Sequence, residues 1–211
     1  KAPLPILVKW LFTSERLSIQ VHPNDAQAQA SGMPSGKEEC WYVVDAEPGA
    51  VIGIGTTRPL SSEELYAASL SGEIEGLMDW KKVSAGDYFY IPAGTVHAIG
   101  AGITLVEVQQ NADITYRLYD YGRPRELHLE RALAVACGGV YGAQHRRSIA
   151  DGPVLVDGPH FRLDRIEGTP DAVTLAAYEG ALLVLPLEGE VAARDGSALA
   201  GAGECLVAQG L

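Results

Sequence analysis

The sequence predicts a mainly β protein: a sandwich or jelly-roll barrel of short strands, a small helical insertion, and a second, smaller β module. Three observations carry that expectation. Short runs rich in Val, Ile, Tyr and Trp recur along the 211 residues. Turn signals containing Gly, Pro and Asn punctuate them at regular spacing. Helical character is confined to residues 61–80 and 126–137.

In order, residues 4–22 read as one or two strands, with a turn at Thr13-Ser14-Glu15-Arg16. Residues 23–38 are polar and rich in Gly, Ser and Pro, and read as a loop. Glu39–Val44 has strand composition, with Glu39, Trp41 and Val43 on one face. A turn at Glu47-Pro48-Gly49 leads to a strand over Ala50–Gly55. Ser61 or Ser62 can cap the first helical stretch, whose apolar positions are Leu65, Leu70, Ile74 and Leu77. Gly72 interrupts it, so two short helices fit better than one.

Strands are expected at Tyr88–Ile91, Thr95–Ile99, Ile103–Gln109 and Ile114–Tyr119. A helix over 126–137 follows, with Leu129, Ala132, Leu133 and Ala136 at helical spacing and Gly138-Gly139 as its stop. Residues 140–152 read as a polar linker, which divides the chain into modules 1–139 and 140–211. From Val154 onward, strands are expected at Phe161–Ile166, Ala172–Tyr178, Ala181–Pro186, Glu190–Ala193 and Glu204–Val207.

Composition narrows the function. A formal charge of -11 repels phosphate backbones and anionic lipid, which argues against nucleic-acid and membrane partners. The same field makes a phosphorylated ligand depend on local Lys or Arg. Cys40, Cys137 and Cys205 are odd in number and widely spaced, as suits a reducing cytoplasm. No apolar run reaches membrane-spanning length. Residues 1–12 are apolar, but they hold two prolines and no small-residue cleavage site, so they do not read as a signal peptide. This abrupt apolar start leaves room for a preceding segment.

The chemistry is expected around Ser18-Ile19-Gln20-Val21-His22-Pro23. In a strand, Ser18, Gln20 and His22 share one face, while Ile19 and Val21 pack on the other. An amide oxygen and a neutral imidazole so placed can reach one metal ion. Glu39 can add a carboxylate and His97 a second imidazole. Arg117 lies mid-strand between apolar residues, which is costly unless its charge is used. His128, His145 and His160 fall outside this set and read as structural or surface residues.

Gly86 to His97 reads G-x5-P-x-G-x2-H. This resembles the second motif of the cupin superfamily, whose fold is a double-stranded β-helix. In the first cupin motif Gln20 stands where the first His is usual. Leu17–Asp25, Lys37–Ala50 and Asn111–Arg123 then resemble class I mannose-6-phosphate isomerases, over about residues 4–135. The chain departs from that pattern in lacking a Trp-Gly-Gly-type N-terminal segment and in having Cys40 where Met or Leu is common.

The resemblance implies a catalytic cupin domain and a degenerate cupin-like second domain. It also implies one Zn2+ held by Gln20, His22, Glu39 and His97. Glu107 falls at a site Glu, a candidate proton carrier. Lys37 is placed to steady an enediolate oxygen, and Arg117 to act in the site. Ser18 and Arg123 match positions that contact the substrate phosphate. The expected reaction interconverts mannose 6-phosphate and fructose 6-phosphate through an enediol, in a cytoplasmic monomer or weak homo-oligomer. Two alternatives stay open: another metal-dependent sugar-phosphate cupin enzyme, or a non-catalytic sugar-binding cupin.

Overall fold

The computed structural model describes residues 4–148, 152–178, 181–193 and 195–209. Contacts divide the chain into two units, Lys1–Gly152 with Gly158–Phe161, and Pro153–Asp157 with Arg162–Leu211.

The first unit runs β1 (Ile6–Thr13), β2 (Ile19–Val21), α1 (Asp25–Ala30), β3 (Glu39–Ala46), β4 (Val51–Thr56), α2 (Ser62–Ser71), α3 (Ile74–Leu77), β5 (Met78–Lys82), β6 (Asp87–Ile91), β7 (His97–Ile99), β8 (Ile103–Gln110), β9 (Tyr116–Tyr119), α4 (Leu129–Val135) and β10 (Arg146–Ser148). The strands form two five-stranded sheets, in the orders β1-β8-β3-β6-β10 and β5-β4-β7-β2-β9. Every pairing in them is antiparallel. Neighbours distant in sequence lie side by side, as in a double-stranded β-helix.

Side-chain alternation sorts this unit into layers. Trp41, Val43, Phe89, Ile91 and Leu105 of the first sheet pack with Ile52, Ile54 and Ile99 of the second. On the other face of the second sheet, Ile19, Val21, Ala98 and Leu118 meet Leu65, Ala68, Ile74, Ala132 and Val135 from the helices. The helices therefore cover one face of the second sheet, while Gln20 and His97 share the other face with Ile52, Ile54 and Ile99. Burying both faces is what fixes the register of β2, because a slip by one residue would exchange Gln20 for Ile19.

Four local expectations are corrected. The expected loop 23–38 contains α1, capped by a reciprocal box between Asn24 and Gln27 and built on Ala26, Ala28 and Ala30. Residues 78–80 are not helical; they open β5, because pairing with β4 supersedes local propensity. The helix expected to run to 137 ends at Val135, since Cys137 bridges to Thr95. The linker 140–152 instead supplies β10, which pairs with β6, and the buried Tyr141, whose hydroxyl donates to the Tyr90 and His145 carbonyls. Its polar composition hid a single buried aromatic anchor.

The second unit comprises β11 (Val154–Asp157), β12 (Arg162–Asp164), α5 (Ala172–Ala176), β13 (Ala181–Val184), β14 (Glu190–Ala192), β15 (Leu199–Gly201) and β16 (Leu206–Gln209). Its strands form three antiparallel pairs, β11 with β12, β13 with β16 and β14 with β15. The strand expected over 172–178 is α5, because Asp171 caps it by accepting from the Thr174 N–H. Among the described residues, no helix is long and apolar enough to cross a membrane.

Candidate metal centre

His22, Glu39 and His97 converge, with one donor atom of each within 4.8 Å of the others. All three are buried. They come from three places: the end of β2, the start of β3 and the start of β7.

Each ring is oriented by its second nitrogen. His22 Nδ1 faces the Ile114 carbonyl at 2.8 Å, and His97 Nδ1 faces the Thr95 carbonyl at 2.8 Å. A carbonyl accepts only, so both Nδ1 atoms carry the proton and both Nε2 lone pairs face the site. His97 Nε2 lies 3.3 Å from Glu39 Oε1, and His22 Nε2 lies 3.5 Å from Oε2. Lone pairs opposed to a carboxylate at these distances repel unless a cation lies between them. Donors placed tetrahedrally around zinc at about 2.0–2.1 Å would lie about 3.3 Å apart. His22 Nε2 and Glu39 Oε1 are buried without a hydrogen bond, and Glu39 Oε2 faces only the Lys37 ammonium at 3.0 Å and the His22 ring. The donor set therefore fits a divalent metal.

Burial also sets the protonation states. It lowers the His22 pKa to about 4, against the opposing pull of Glu39. Burial lowers His97 as well. For Glu39 burial works upward, but the Lys37 ammonium opposes it, and the carboxyl is held well below its usual range. Neutral imidazoles and an ionised carboxylate are the states a metal needs.

Gln20 lies directly across from His97 on β7 and from Arg117 on β9. A bulge places it there, because β9 advances two residues between its partners of Ile19 and Gln20. The Gln20 amide nitrogen is 3.3 Å from His97 Nε2, while its oxygen accepts from Ser18 Oγ at 3.2 Å. Turning the amide over would place its oxygen on the His97 Nε2 side, and Ser18 could then accept instead of donate. Arg117 has its Nε buried without a hydrogen bond.

On the facing sheet, Glu107 pairs with Trp41 on one side and Lys9 on the other. Lys9 Nζ donates to Glu107 at 3.0 Å and also to Gln109. Burial, reinforced by the Glu39 charge, raises the Glu107 pKa. Lys37 Nζ is 3.0 Å from Glu39 Oε2 and buried with it. Burial alone would lower the Lys37 pKa; Glu39 and Glu107 prevail and raise it.

Arg123 is held by Asp120 at 2.6 Å and Glu15 at 3.6 Å, and lies over the Tyr121 ring. None of these partners belongs to the His–Glu–His set. Sequence reasoning passed over Lys9. A lone charge within Ile6-Leu7-Val8-Lys9-Trp10-Leu11-Phe12 is the same signal that singled out Arg117.

Fold and site together define a cupin-type protein with a buried His–Glu–His centre suited to a divalent cation. No protein-family model matches the chain. In sequence it is a homologue of mannose-6-phosphate isomerases. It is 46% identical over 138 residues to mannose-6-phosphate isomerase ManA of Bacillus subtilis strain 168, a match covering 62% of this chain and 44% of the relative. It is 44% identical over 137 residues to mannose-6-phosphate isomerase of Streptococcus mutans, covering 62% of this chain and 43% of the relative. The chain thus spans less than half the length of these relatives.

In structure it superposes on the mannose 6-phosphate isomerase from Bacillus subtilis with a TM-score of 0.75 at 29% identity, over 98% of this chain and 69% of that one. A putative mannosephosphate isomerase from Archaeoglobus fulgidus shares the fold, with a TM-score of 0.73 at 18% identity, over 99% of this chain and 66% of that one.

Proposed function

We propose that the protein is a zinc-dependent aldose–ketose isomerase interconverting mannose 6-phosphate and fructose 6-phosphate through an enediol, with residues 1–139 as its catalytic domain. The observation that carries this reading is the convergence of the buried His22, Glu39 and His97 donor atoms beside a buried Lys37, in a chain whose relatives bear that name.

His22, Glu39, His97 and the reoriented Gln20 would hold the ion. When bound, zinc supplies Lewis acidity and an anchor for sugar oxygens. The remaining work belongs to the chain. Glu107 takes the proton from C2 of the open-chain aldose and returns it to C1, while the hydroxyl proton passes from O2 to O1, and its raised pKa suits a carrier that must both accept and release. A positioned base of this kind contributes roughly 10²–10⁴-fold. Lys37 steadies the oxygen that turns negative as the C2 proton leaves. Arg117, across from Gln20, binds and orients the sugar chain. Ser18 and Arg123 take the phosphate, the guanidinium by its two-pronged donor geometry.

The cytoplasm suits the free cysteines, the charge of -11 disfavours nucleic acid, and a small sugar-phosphate partner relies on Lys37, Arg117 and Arg123 to offset that charge locally. We take the working form to be a monomer or weak homo-oligomer. A coupled assay with mannose 6-phosphate, before and after chelation, tests the reading. Turnover is expected, abolished by chelator and restored by zinc. Full turnover in metal-depleted protein would overturn it.

A further inference from the structure

Lys37 and Glu39 lie on a short segment whose backbone is gripped by two side chains from elsewhere in the chain. The Gly36 N–H donates to Asp25 Oδ1 at 2.7 Å. Gln110 Nε2 donates to the same oxygen at 3.0 Å. Gln110 Oε1 accepts from the Glu38 N–H at 2.9 Å, and the Gln110 N–H donates to the Glu38 carbonyl at 3.1 Å. Between these, the Lys37 N–H donates to the Pro23 carbonyl at 3.0 Å, next to His22.

Gln110 is buried, so its amide is committed to these partners. The approach at Gly36 is close: a Cβ there would lie 2.4 to 2.6 Å from backbone atoms of Pro23, Asn24 and Asp25. The segment that carries Lys37 is thus seated on α1 and on the end of β8.

We propose that Asp25 and Gln110 are positioning residues for the isomerisation, setting where Lys37 stands relative to Glu39 and the sugar. The proposal rests on the function inferred above. Lys37 bears a long flexible side chain, and a displacement of about 1 Å near reacting groups can cost on the order of 10²-fold in rate. A backbone fixed at residues 36 and 38 limits that displacement.

The geometry offers a clean discriminator. Both latch bonds end on Asp25 Oδ1. The second oxygen, Oδ2, instead faces His160 Nδ1 at 4.0 Å, and His160 Nε2 lies 3.8 Å from Glu38. Asp25→Asn keeps an oxygen for Gly36 and Gln110 while removing the negative charge and the contact with His160. Asp25→Ala removes both latch bonds.

The test compares parent, Asp25→Ala, Asp25→Asn and Gln110→Met as zinc-loaded proteins, by steady-state kinetics on mannose 6-phosphate and by amide hydrogen exchange. Asp25→Ala and Gln110→Met are expected to lower kcat by roughly tenfold or more, with KM changed less than about threefold. Asp25→Asn is expected to stay within about twofold of the parent. If Asp25→Ala does not fold, Gln110→Met carries the same comparison. A kcat in both truncated variants within about twofold of the parent would overturn the proposal, as would an Asp25→Asn as slow as Asp25→Ala. Should the parent itself not turn over mannose 6-phosphate, the assigned function fails. The latch is then judged by exchange at Gly36 and Glu38, expected to quicken about tenfold in Asp25→Ala but not in Asp25→Asn. Unchanged exchange would remove the latch itself.

Discussion

Lys37 Nζ stands 3.0 Å from Glu39 Oε2, with both side chains buried. A buried ion pair of this kind is poor evidence for stability, because desolvation offsets much of the attraction. It is better explained by use. Under the proposed function, the Glu39 carboxylate serves a cation shared with the two imidazoles that face it, and Lys37 serves the substrate. We expect Lys37→Met to lower turnover of mannose 6-phosphate by roughly 10²-fold or more, while dialysed protein keeps its zinc. Metal analysis alongside the coupled assay checks this, and near-parental turnover would remove Lys37 from the mechanism.

His97 contributes one of three converging donors, and its ring is already oriented by the Thr95 carbonyl. Truncation removes one of only two imidazoles and leaves His22, Glu39 and the neutral Gln20 amide, a much weaker donor set for zinc. We expect His97→Ala to lose the metal on dialysis. One full zinc equivalent retained by that variant would show that His97 is not a ligand.

The buried imidazoles make the metal-free protein acid-sensitive. The His22 pKa is about 4 in the folded protein against 6.5 in an unfolded chain. As pH falls, the unfolded chain binds the proton first, so stability present above about pH 6.5 is lost toward pH 4. A shift of that size corresponds to roughly 3 kcal/mol. His97 acts in the same direction, whereas Glu107, with its raised pKa, opposes it. Urea midpoints of metal-free parent and His22→Gln at pH 7.5 and 4.5 read the difference. The parent should lose roughly 2–3 kcal/mol more than the variant; equal losses would mean that His22 is not buried neutral.

Arg123 is held in place by the buried carboxylate of Asp120, and its Nη1 faces only the exposed Glu15 carboxylate, at 3.6 Å, which a phosphate would have to displace. If it binds the phosphate, Arg123→Ala should raise KM for mannose 6-phosphate by about tenfold, with a smaller fall in kcat. Parent enzyme working equally well on unphosphorylated mannose would contradict this.

Much of the centre was legible before any coordinates. His22 and Gln20 are two apart on one face of a strand, and alternation alone brings them together once Ile19 and Val21 are seen to be apolar. Arg117 and Lys9 carry the same local signature, a charge inside an apolar strand, yet only Arg117 was singled out. The helix at Asp25–Ala30 was hidden by the Gly, Ser and Pro that follow it, although the Asn24 and Gln27 box was present to be read. Tyr141 was hidden because one anchoring aromatic in a polar stretch has no periodicity.

The sequence by itself determined the donor types, the faces they occupy and the sites where strands turn, because these depend on alternation and on residues adjacent in the chain. Tertiary structure alone decided that Glu39 and His97, 58 positions apart, meet at 3.3 Å, and that a bulge in β9 brings Arg117 opposite Gln20. It also decided that Asp25 and Gln110 share the grip on the Lys37 segment. Those facts depend on how two sheets close over a common core, and a closure between distant strands leaves no mark in the local order of residues.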